Sequence, residues 1–253
     1  MPSFIFHAPC PFGLEGLLAD EIRALNADPD LIRSAKGGVS FAGGLELGMA
    51  VCLHSRFATR VLLRVAFDEY WDSRDVYALA KKTPWEKWFG TDATFRIHSS
   101  ANRCPLESLD FATLRIKDGL CDRFTELVGR RPSVEKRSPD VRIEAYFTFD
   151  HVSFYIDLAG ESLFKRGWRL EHGEAPLKEN LAAALSGWKP ELPLVDPFCG
   201  SGTIAIEAAA MATNTAPGLM RRFAFERLQG FDMALWQEMK EDARAAQNRS
   251  AKV

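Results

Sequence analysis

The five cysteines of this chain include no closely spaced pair. Cys10, Cys52, Cys104, Cys121 and Cys199 are scattered, odd in number and free of any C-x-x-C spacing. That argues against a disulfide framework and against a zinc or other metal site, and it points to a reducing cytoplasm. No apolar run approaches the ~20 residues needed to cross a bilayer, and the first residues hold no basic cluster followed by an apolar stretch. Neither a membrane partner nor a secretory leader is expected. Net charge is −2, so no global basic signal marks a nucleic-acid binder. A local excess exists: 13 Lys and Arg against 9 Asp and Glu between Lys81 and Arg142. That excess suits phosphate contact, and a solvated helical surface equally well. Internal repeats and low-complexity tracts are absent, as are the P-loop pattern and G-x-G-x-x-G.

What is present is a succession of short elements in ordinary globular composition, 47% hydrophobic and 26% charged. Ser3 to Ala8 reads as a strand ended by Pro9 and Pro11. Leu14, Leu17, Leu18, Ile22 and Leu25 recur at helical spacing. A strand at Val39 to Phe41, a helix from Leu45 to His54 and a strand from Arg60 to Phe67 complete a small α+β layer. A second unit starts with a helix from Ser73 to Lys81. The cluster Pro84-Trp85-Glu86-Lys87-Trp88-Phe89 is expected to pack a core or junction. Thr94 to His98 reads as a strand. The longest helix is expected over Ser108–Val128, with Phe111, Leu114, Cys121, Phe124, Leu127 and Val128 as its apolar face. Alternation over 141–149 and 152–158 predicts a β-hairpin with one buried face. The stretch from Ser162 to Pro176 is rich in charge and Gly and reads as a connection. A helix over 177–185, a buried strand from Leu192 to Phe198 and an Ala-rich helix from Thr203 to Ala212 follow.

The strand, glycine turn and helix around Gly200-Ser201-Gly202 carry the chemistry. Glycines let the backbone bend sharply and approach a ligand, and the helix start presents unpaired N–H groups and a positive dipole end to an anionic or zwitterionic group. The third glycine of a dinucleotide fingerprint is missing, and so is the lysine of a P-loop.

Asp196 to Glu207 resembles the signature D-P-F-C-G-S-G-T-x-x-x-E of a family of class I RNA methyltransferases. The family includes bacterial 23S rRNA guanine-N2 methyltransferases and related tRNA enzymes, and its members are often labelled N6-adenine-specific DNA methylases. Other stretches are similar to the family in the family's order: Cys10 to Glu15, the helix containing Leu114 to Leu120, Leu163 to Arg169, and Ala175 to Ala182. The resemblance implies α+β ferredoxin-like and THUMP units followed by the start of a truncated α/β class I (Rossmann-like) methyltransferase domain. The implied division is a ferredoxin-like unit over 1–70, an overlapping THUMP RNA-binding unit over 45–162, a linker over 163–176 and the beginning of the methyltransferase domain over 177–253.

The resemblance also implies S-adenosylmethionine as cofactor and structured rRNA or tRNA as partner. Asp196, Pro197, Phe198, Cys199, Gly200, Ser201, Gly202 and Thr203 would form the cofactor floor. Asp196 would end the first strand near the methionine end, and Gly200, Ser201 and Gly202 would wrap the methionine carboxylate. Cys199 would be a small buried turn residue. Lys178, Glu179 and Asn180 would border the same pocket, although the family usually has Thr where Asn180 stands. Candidate RNA contacts are Arg103, Arg115, Lys117, Arg130, Arg131, Lys136 and Arg137.

Such enzymes use an N/D-P-P-Y-like motif to methylate an exocyclic amine, and no Pro-Pro pair occurs here. Asp232, before a helix expected over 235–246, is a poor ribose acid because no apolar strand precedes it. These gaps lead to the expectation that the chain stops before the second strand of its catalytic domain. Beyond about Thr213 it would then lack fixed packing or borrow contacts from a neighbour. The implied activity is methyl transfer to a base amine, guanine N2 in the first instance. The alternatives are a DNA amino-methyltransferase and a non-catalytic RNA-binding protein.

Overall fold

In a computed structural model that describes residues 3–169, 177–186 and 193–248, the chain divides into two units, each assembled from separate stretches. The first unit takes residues 1–61, 161–223 and 232–253, and the second takes 62–160 and 224–231.

In the first unit, β1 (Phe4–Pro9) is followed by α1 (Glu15–Ala24), β2 (Arg33–Ala35), β3 (Gly38–Gly43) and α2 (Leu45–His54). The strands form an antiparallel ribbon in the order β2-β3-β1. Phe6 stands opposite Phe41 and Ala8 opposite Val39, all four buried, with the two phenyl rings stacked at 5.1 Å. Helix α1 buries Leu18, Ala19 and Ile22 against this ribbon. Its first residue, Glu15, accepts hydrogen bonds from the Gly37 and Gly13 N–H groups, each 2.8 Å long. The bond from Gly37 does most to hold the Glu15 carboxyl below its ordinary range, because it favours the charged form. Thus one carboxylate ties the entry of α1 to the β2–β3 turn. Strand β2, three exposed residues long, has no sequence signal; it exists because β3 offers it an edge.

The second unit contains β4 (Leu62–Glu69), α3 (Ser73–Lys82), β5 (Thr94–Ala101), α4 (Leu109–Val128), β6 (Ser133–Val134), β7 (Val141–Phe147) and β8 (His151–Asp157). The strand order is β4-β8-β7-β5-β6. The expected hairpin is present as β7 and β8, with Ile143 opposite Ile156 and Ala145 opposite Phe154. Helix α3 opens with a reciprocal cap between Asp72 and Asp75. Helices α3 and α4 approach closely at Gly119, where a Cβ would stand 2.5 Å from the Tyr77 carbonyl oxygen. The aromatic cluster is core: Trp85 and Phe89 are buried, and the Trp85 indole donates to the Ala80 carbonyl oxygen at 2.7 Å.

The α4 face differs from expectation. Ala112, Ile116, Gly119, Leu120, Cys121 and Phe124 are buried, whereas Phe111, Leu114, Leu127 and Val128 are more than half exposed. The close approach at Gly119 selects the face centred on small residues, and large side chains cannot follow it in. Residues 224–231 join this unit as well: Phe225 is fully buried and donates its N–H to the Leu158 carbonyl oxygen at 3.1 Å, and Gln229 N–H donates to the Trp88 carbonyl oxygen at 2.8 Å.

The chain then completes the first unit with α5 (Glu179–Ser186), α6 (Thr203–Ala212) and α7 (Met233–Ala245). Two expectations fail here. Residues 193–198 of the expected strand form none, and Val195 and Phe198 are 81% and 94% exposed; Leu192 lies outside the described residues. A parallel-type strand needs neighbours on both edges and cover on both faces, and none of the described strands lies beside this one. The expectation of missing contacts beyond Thr213 also fails. Phe223 packs edge-on against the fully buried Trp236 at 5.5 Å. Gly218 N–H reaches the Leu53 carbonyl oxygen at 2.9 Å, and Asn248 N–H reaches that of Thr213 at 2.8 Å. Helix α2 packs against α7. Among the described residues no helix is long and apolar enough to cross a membrane.

Candidate functional site

The glycine turn is built as its residues dictate. Gly200 and Gly202 have φ of 53° and 70°, left-handed values that a residue with a Cβ adopts only at a cost. Gly202 N–H closes the turn on the Cys199 carbonyl oxygen at 2.8 Å. Helix α6 starts directly behind it with no side-chain cap, and a Cβ built on Gly200 meets nothing within 4 Å. The start of α6 thus has no side chain capping its N–H groups, and an uncapped helix start is the kind of end that receives an anion.

Arg169 organises the wall beside this turn. Its guanidinium pairs with the Glu179 carboxylate at 2.9 Å, and donates to the Leu177 carbonyl oxygen and the Thr203 hydroxyl, both at 3.0 Å, and to Ser201 Oγ at 3.4 Å. One cation thereby joins the start of α5 to the start of α6. Both members of the Arg169–Glu179 pair are largely buried, with 9% and 6% of their side chains exposed.

Beneath the turn lies a buried charge cluster. Glu207, on α6, faces Arg166 at 3.3 Å and Arg56 at 3.9 Å. Arg166 also donates to the carbonyl oxygens of Leu163 and Arg56 at 2.8 and 2.6 Å, and Arg56 to those of Thr215 and Ala210 at 2.8 and 3.2 Å. Burial pushes the Arg56 guanidinium pKa down, Glu207 opposes that, and the Arg166 charge adds to it. On the far side, Glu21 of α1 accepts from Ser55 Oγ and the Arg56 N–H at 2.7 and 2.9 Å. Desolvation raises the Glu21 carboxyl pKa against these bonds.

The sequence-derived residues divide accordingly. Gly200, Ser201, Gly202 and Thr203 come together with Glu179 around Arg169. Asp196 is half-buried, and Pro197, Phe198 and Cys199 are exposed in an irregular stretch. Cys199 is therefore not the buried turn residue expected, because the strand that would have covered it is not formed. Lys178 is exposed, with its ammonium 5.3 Å from the Phe164 ring centre. Asn180 points inward: its Nδ2 donates to the Phe57 carbonyl oxygen at 3.5 Å and its buried Oδ1 has no hydrogen-bond partner. Asp232 caps α7, accepting from the N–H groups of Ala234 and Leu235, so its carboxylate is occupied. Residues 163–169 of the expected linker hold Arg166 and Arg169 in place; 170–176 lie outside the described residues.

Arg166 and Arg169 were missed by sequence reasoning because a charged, Gly-containing stretch looks like a solvated connection, and Arg56 because nothing beside it in sequence marks it. The available signal was the motif's own Glu207, an acid on an Ala-rich helix that demanded a buried cation.

The candidate RNA contacts sit in the second unit on α4 and the loops near it. Arg115 lies over the Tyr77 ring at 4.4 Å, Lys117 pairs with Asp118 at 2.8 Å, and Arg130 with Asp92 at 3.2 Å. Lys117 and Arg131 share a surface hollow of about 430 Å³. Arg103, Lys136 and Arg137 are exposed. Among the described residues no cluster could hold a metal ion.

Three family models match in series: an RlmL ferredoxin-like domain over residues 5–62, a THUMP domain over 71–157, and an RMKL-like methyltransferase domain over 166–253. The ribosomal RNA large subunit methyltransferase K/L of Aeromonas salmonicida is 42% identical over 96% of this chain, and that of Pseudoalteromonas translucida 43% over 94%. The chain spans about a third of their length, 34% in both cases. Among solved structures, a protein of Listeria monocytogenes described as an N6-adenine-specific DNA methylase matches with a TM-score of 0.89 at 31% identity, over 99% of this chain and 66% of that one. The crystal structure of SMU.472 complexed with SAH matches with a TM-score of 0.88 at 30% identity, over 100% of this chain and 67% of that one.

Proposed function

Since this chain belongs to the family of THUMP-domain-containing class I methyltransferases, we propose that its glycine turn holds the methionine end of S-adenosylmethionine and that the protein methylates a base amine, guanine N2, of ribosomal RNA. One observation carries the cofactor assignment: two left-handed glycines at the uncapped start of α6, with the Arg169 guanidinium bonded to Ser201 and Thr203. The residues present fit the group. Open space at Gly200 admits a carboxylate to the α6 N–H groups, and Arg169 adds positive charge beside them. Ser201 and Gly202 would hold the carboxylate, with Asp196 near the amino group. Arg169, held by Glu179, positions the turn rather than touching the reacting atoms.

When bound, the cofactor supplies an electrophilic methyl group. The chain's own residues orient it, the part of catalysis that proximity provides. The target base must leave its helix to reach such a pocket. Charged residues of the THUMP unit, among them Arg115, Lys117, Arg130 and Arg131 with Arg103, Lys136 and Arg137, would hold structured RNA by phosphate and shape contacts. No Pro-Pro pair occurs in these residues, so this chain by itself is expected to transfer no methyl group.

Backbone NMR with added S-adenosylhomocysteine tests the site. Amide shifts confined to residues 200–205 are expected, and they should vanish in Gly202→Ala. Shifts centred elsewhere would sink the assignment. The Listeria relative's description supports a second reading, a DNA substrate. Transfer of labelled methyl groups to rRNA, tRNA and duplex DNA by a protein of the relatives' full length separates the two.

A further inference from the structure

Where β4 leaves the sheet of the second unit and β7 turns into β8, two aromatic rings stand in solvent: Trp71 is 86% exposed and Phe149 69%. Register brings them together. Glu69 stands opposite His151, and the Tyr70 N–H donates to the Asp150 carbonyl oxygen at 3.1 Å, so Trp71 comes beside the hairpin tip that holds Phe149. The backbone under both rings is braced. The buried Tyr70 side chain donates its hydroxyl to the Thr148 carbonyl oxygen at 2.7 Å and packs edge-on against Phe147 at 5.5 Å. Thr148 N–H closes the tip on the His151 carbonyl oxygen at 2.8 Å, and Trp71 N–H donates to the Asp75 carboxylate at 2.9 Å. A fixed frame therefore keeps two large apolar rings side by side in water, at a cost in hydration free energy that a partner would relieve.

The surroundings are acidic. Asp72 pairs with Arg74 at 2.6 Å, and the two charges cancel. Asp68, Glu69, Asp75 and Asp150 remain, and residues 67–73 and 148–152 contain no lysine or arginine. Glu69 and Asp150 keep 68% and 63% of their side chains exposed. His151 bonds Asp150 at 2.8 Å, and Arg64, further back on β4, lies over the Phe67 ring. The neighbouring loop, joined to Tyr70 through Cys104 at 3.2 Å, adds Arg103 and Glu107, which offset each other.

We propose that this end of the second unit docks a basic, extended protein segment, with its guanidinium or ammonium groups on the faces of the Trp71 and Phe149 rings and paired with Asp68, Glu69 and Asp150. Charge complementarity selects this occupant. The face of an indole or phenyl ring attracts a cation, and carboxylates beside it add to that attraction. Nucleic acid would bring phosphates against the same carboxylates, and like charges across an interface are costly. A short segment on two rings buries less than a standard interface, so the contact is transient and weakens with salt. The assignment uses neither the glycine turn nor the cationic side of α4, so it stands apart from the cofactor and RNA readings.

The test uses the 253-residue chain and a fluorescein-labelled peptide of about twelve residues in which Arg and Ser alternate, read by anisotropy. Binding is expected, and a peptide alternating Glu and Ser should not bind. Trp71→Ser should weaken the Arg peptide roughly tenfold, and Asp68→Asn with Glu69→Gln should weaken it severalfold and flatten its salt dependence. Trp71→Phe, which keeps a ring, should bind within about twofold of the parent. Phe12→Ser removes a ring of similar exposure from the first unit and should change nothing, which separates docking from general stickiness. Thermal unfolding of each variant should match the parent, because the altered side chains are exposed. Parental affinity in Trp71→Ser, or equal binding of the Glu peptide, overturns the proposal. So does an RNA oligonucleotide whose binding falls in Trp71→Ser while that of the Arg peptide does not, since the surface would then belong to nucleic acid.

Discussion

Replacing Glu207 by Gln removes one negative charge from between two buried guanidinium groups. The side chains of Glu207 and Arg166 are each 2% exposed, and that of Arg56 is 13% exposed. Deleting one member of a buried ion pair costs about 3–5 kcal/mol, since the other charge stays buried without compensation. Geometry places this site at the lower end. Contacts of 3.3 and 3.9 Å are long for charge-assisted bonds. Both arginines also keep backbone carbonyl acceptors. We therefore expect Glu207→Gln to destabilise the first unit by about 3 kcal/mol. Adding Arg166→Gln should recover about 1 kcal/mol or more of the sum of the single losses, because the two side chains are in contact. Urea unfolding followed by circular dichroism gives the magnitude. Hydrogen exchange of α6 peptides locates it. An unchanged transition would refute the reasoning, and so would faster exchange confined to α3, α4 and the strands of the second unit.

Three further outcomes follow from single residues. Gly119→Ala should cost about 1–3 kcal/mol through overpacking, because its Cβ would meet the Tyr77 carbonyl oxygen at 2.5 Å; thermal unfolding that matches the parent would show the two helices can part freely. Arg169→Gln should loosen α5 and the turn together, leaving Glu179 buried and unpaired at a cost of about 2–4 kcal/mol, and amide shifts at Ser201 and Thr203 that stay unchanged would contradict it. Glu15 has a lowered pKa, so its contribution to stability is present above the ordinary glutamate pKa and is lost as pH falls through the lowered value. The melting-temperature gap between parent and Glu15→Gln should therefore close as pH falls from above the ordinary glutamate range through the lowered value; a gap that persists in acid would mean the two N–H bonds do not depend on the charge.

Helices with a one-sided apolar repeat, such as α1, and the alternating hairpin of β7 and β8 were legible in the sequence, because local period and burial agree there. The α4 face was not, since Gly119 sets the packing and large apolar residues on the same helix are left outside. The segment at 193–198 reads as a strand by composition alone, yet a strand is a property of its neighbours. In the candidate site, the glycine turn was legible because left-handed backbone writes itself as glycine. The arginines that brace it were not, because their partners lie far away along the chain: Arg56 and Glu207 meet only after folding.

The backbone crosses between the two units at 61/62, 160/161, 223/224 and 231/232. A cut at any one of these points therefore separates residues that pack together. Recombination at residue 161 would deliver strands and helices of the second unit without Phe225, whose complete burial is worth about 2–3 kcal/mol, and without the Arg227–Asp140 pair at 2.8 Å. The stretch from residue 224 to residue 231 is thus a stitch that packs with residues far behind it in the chain.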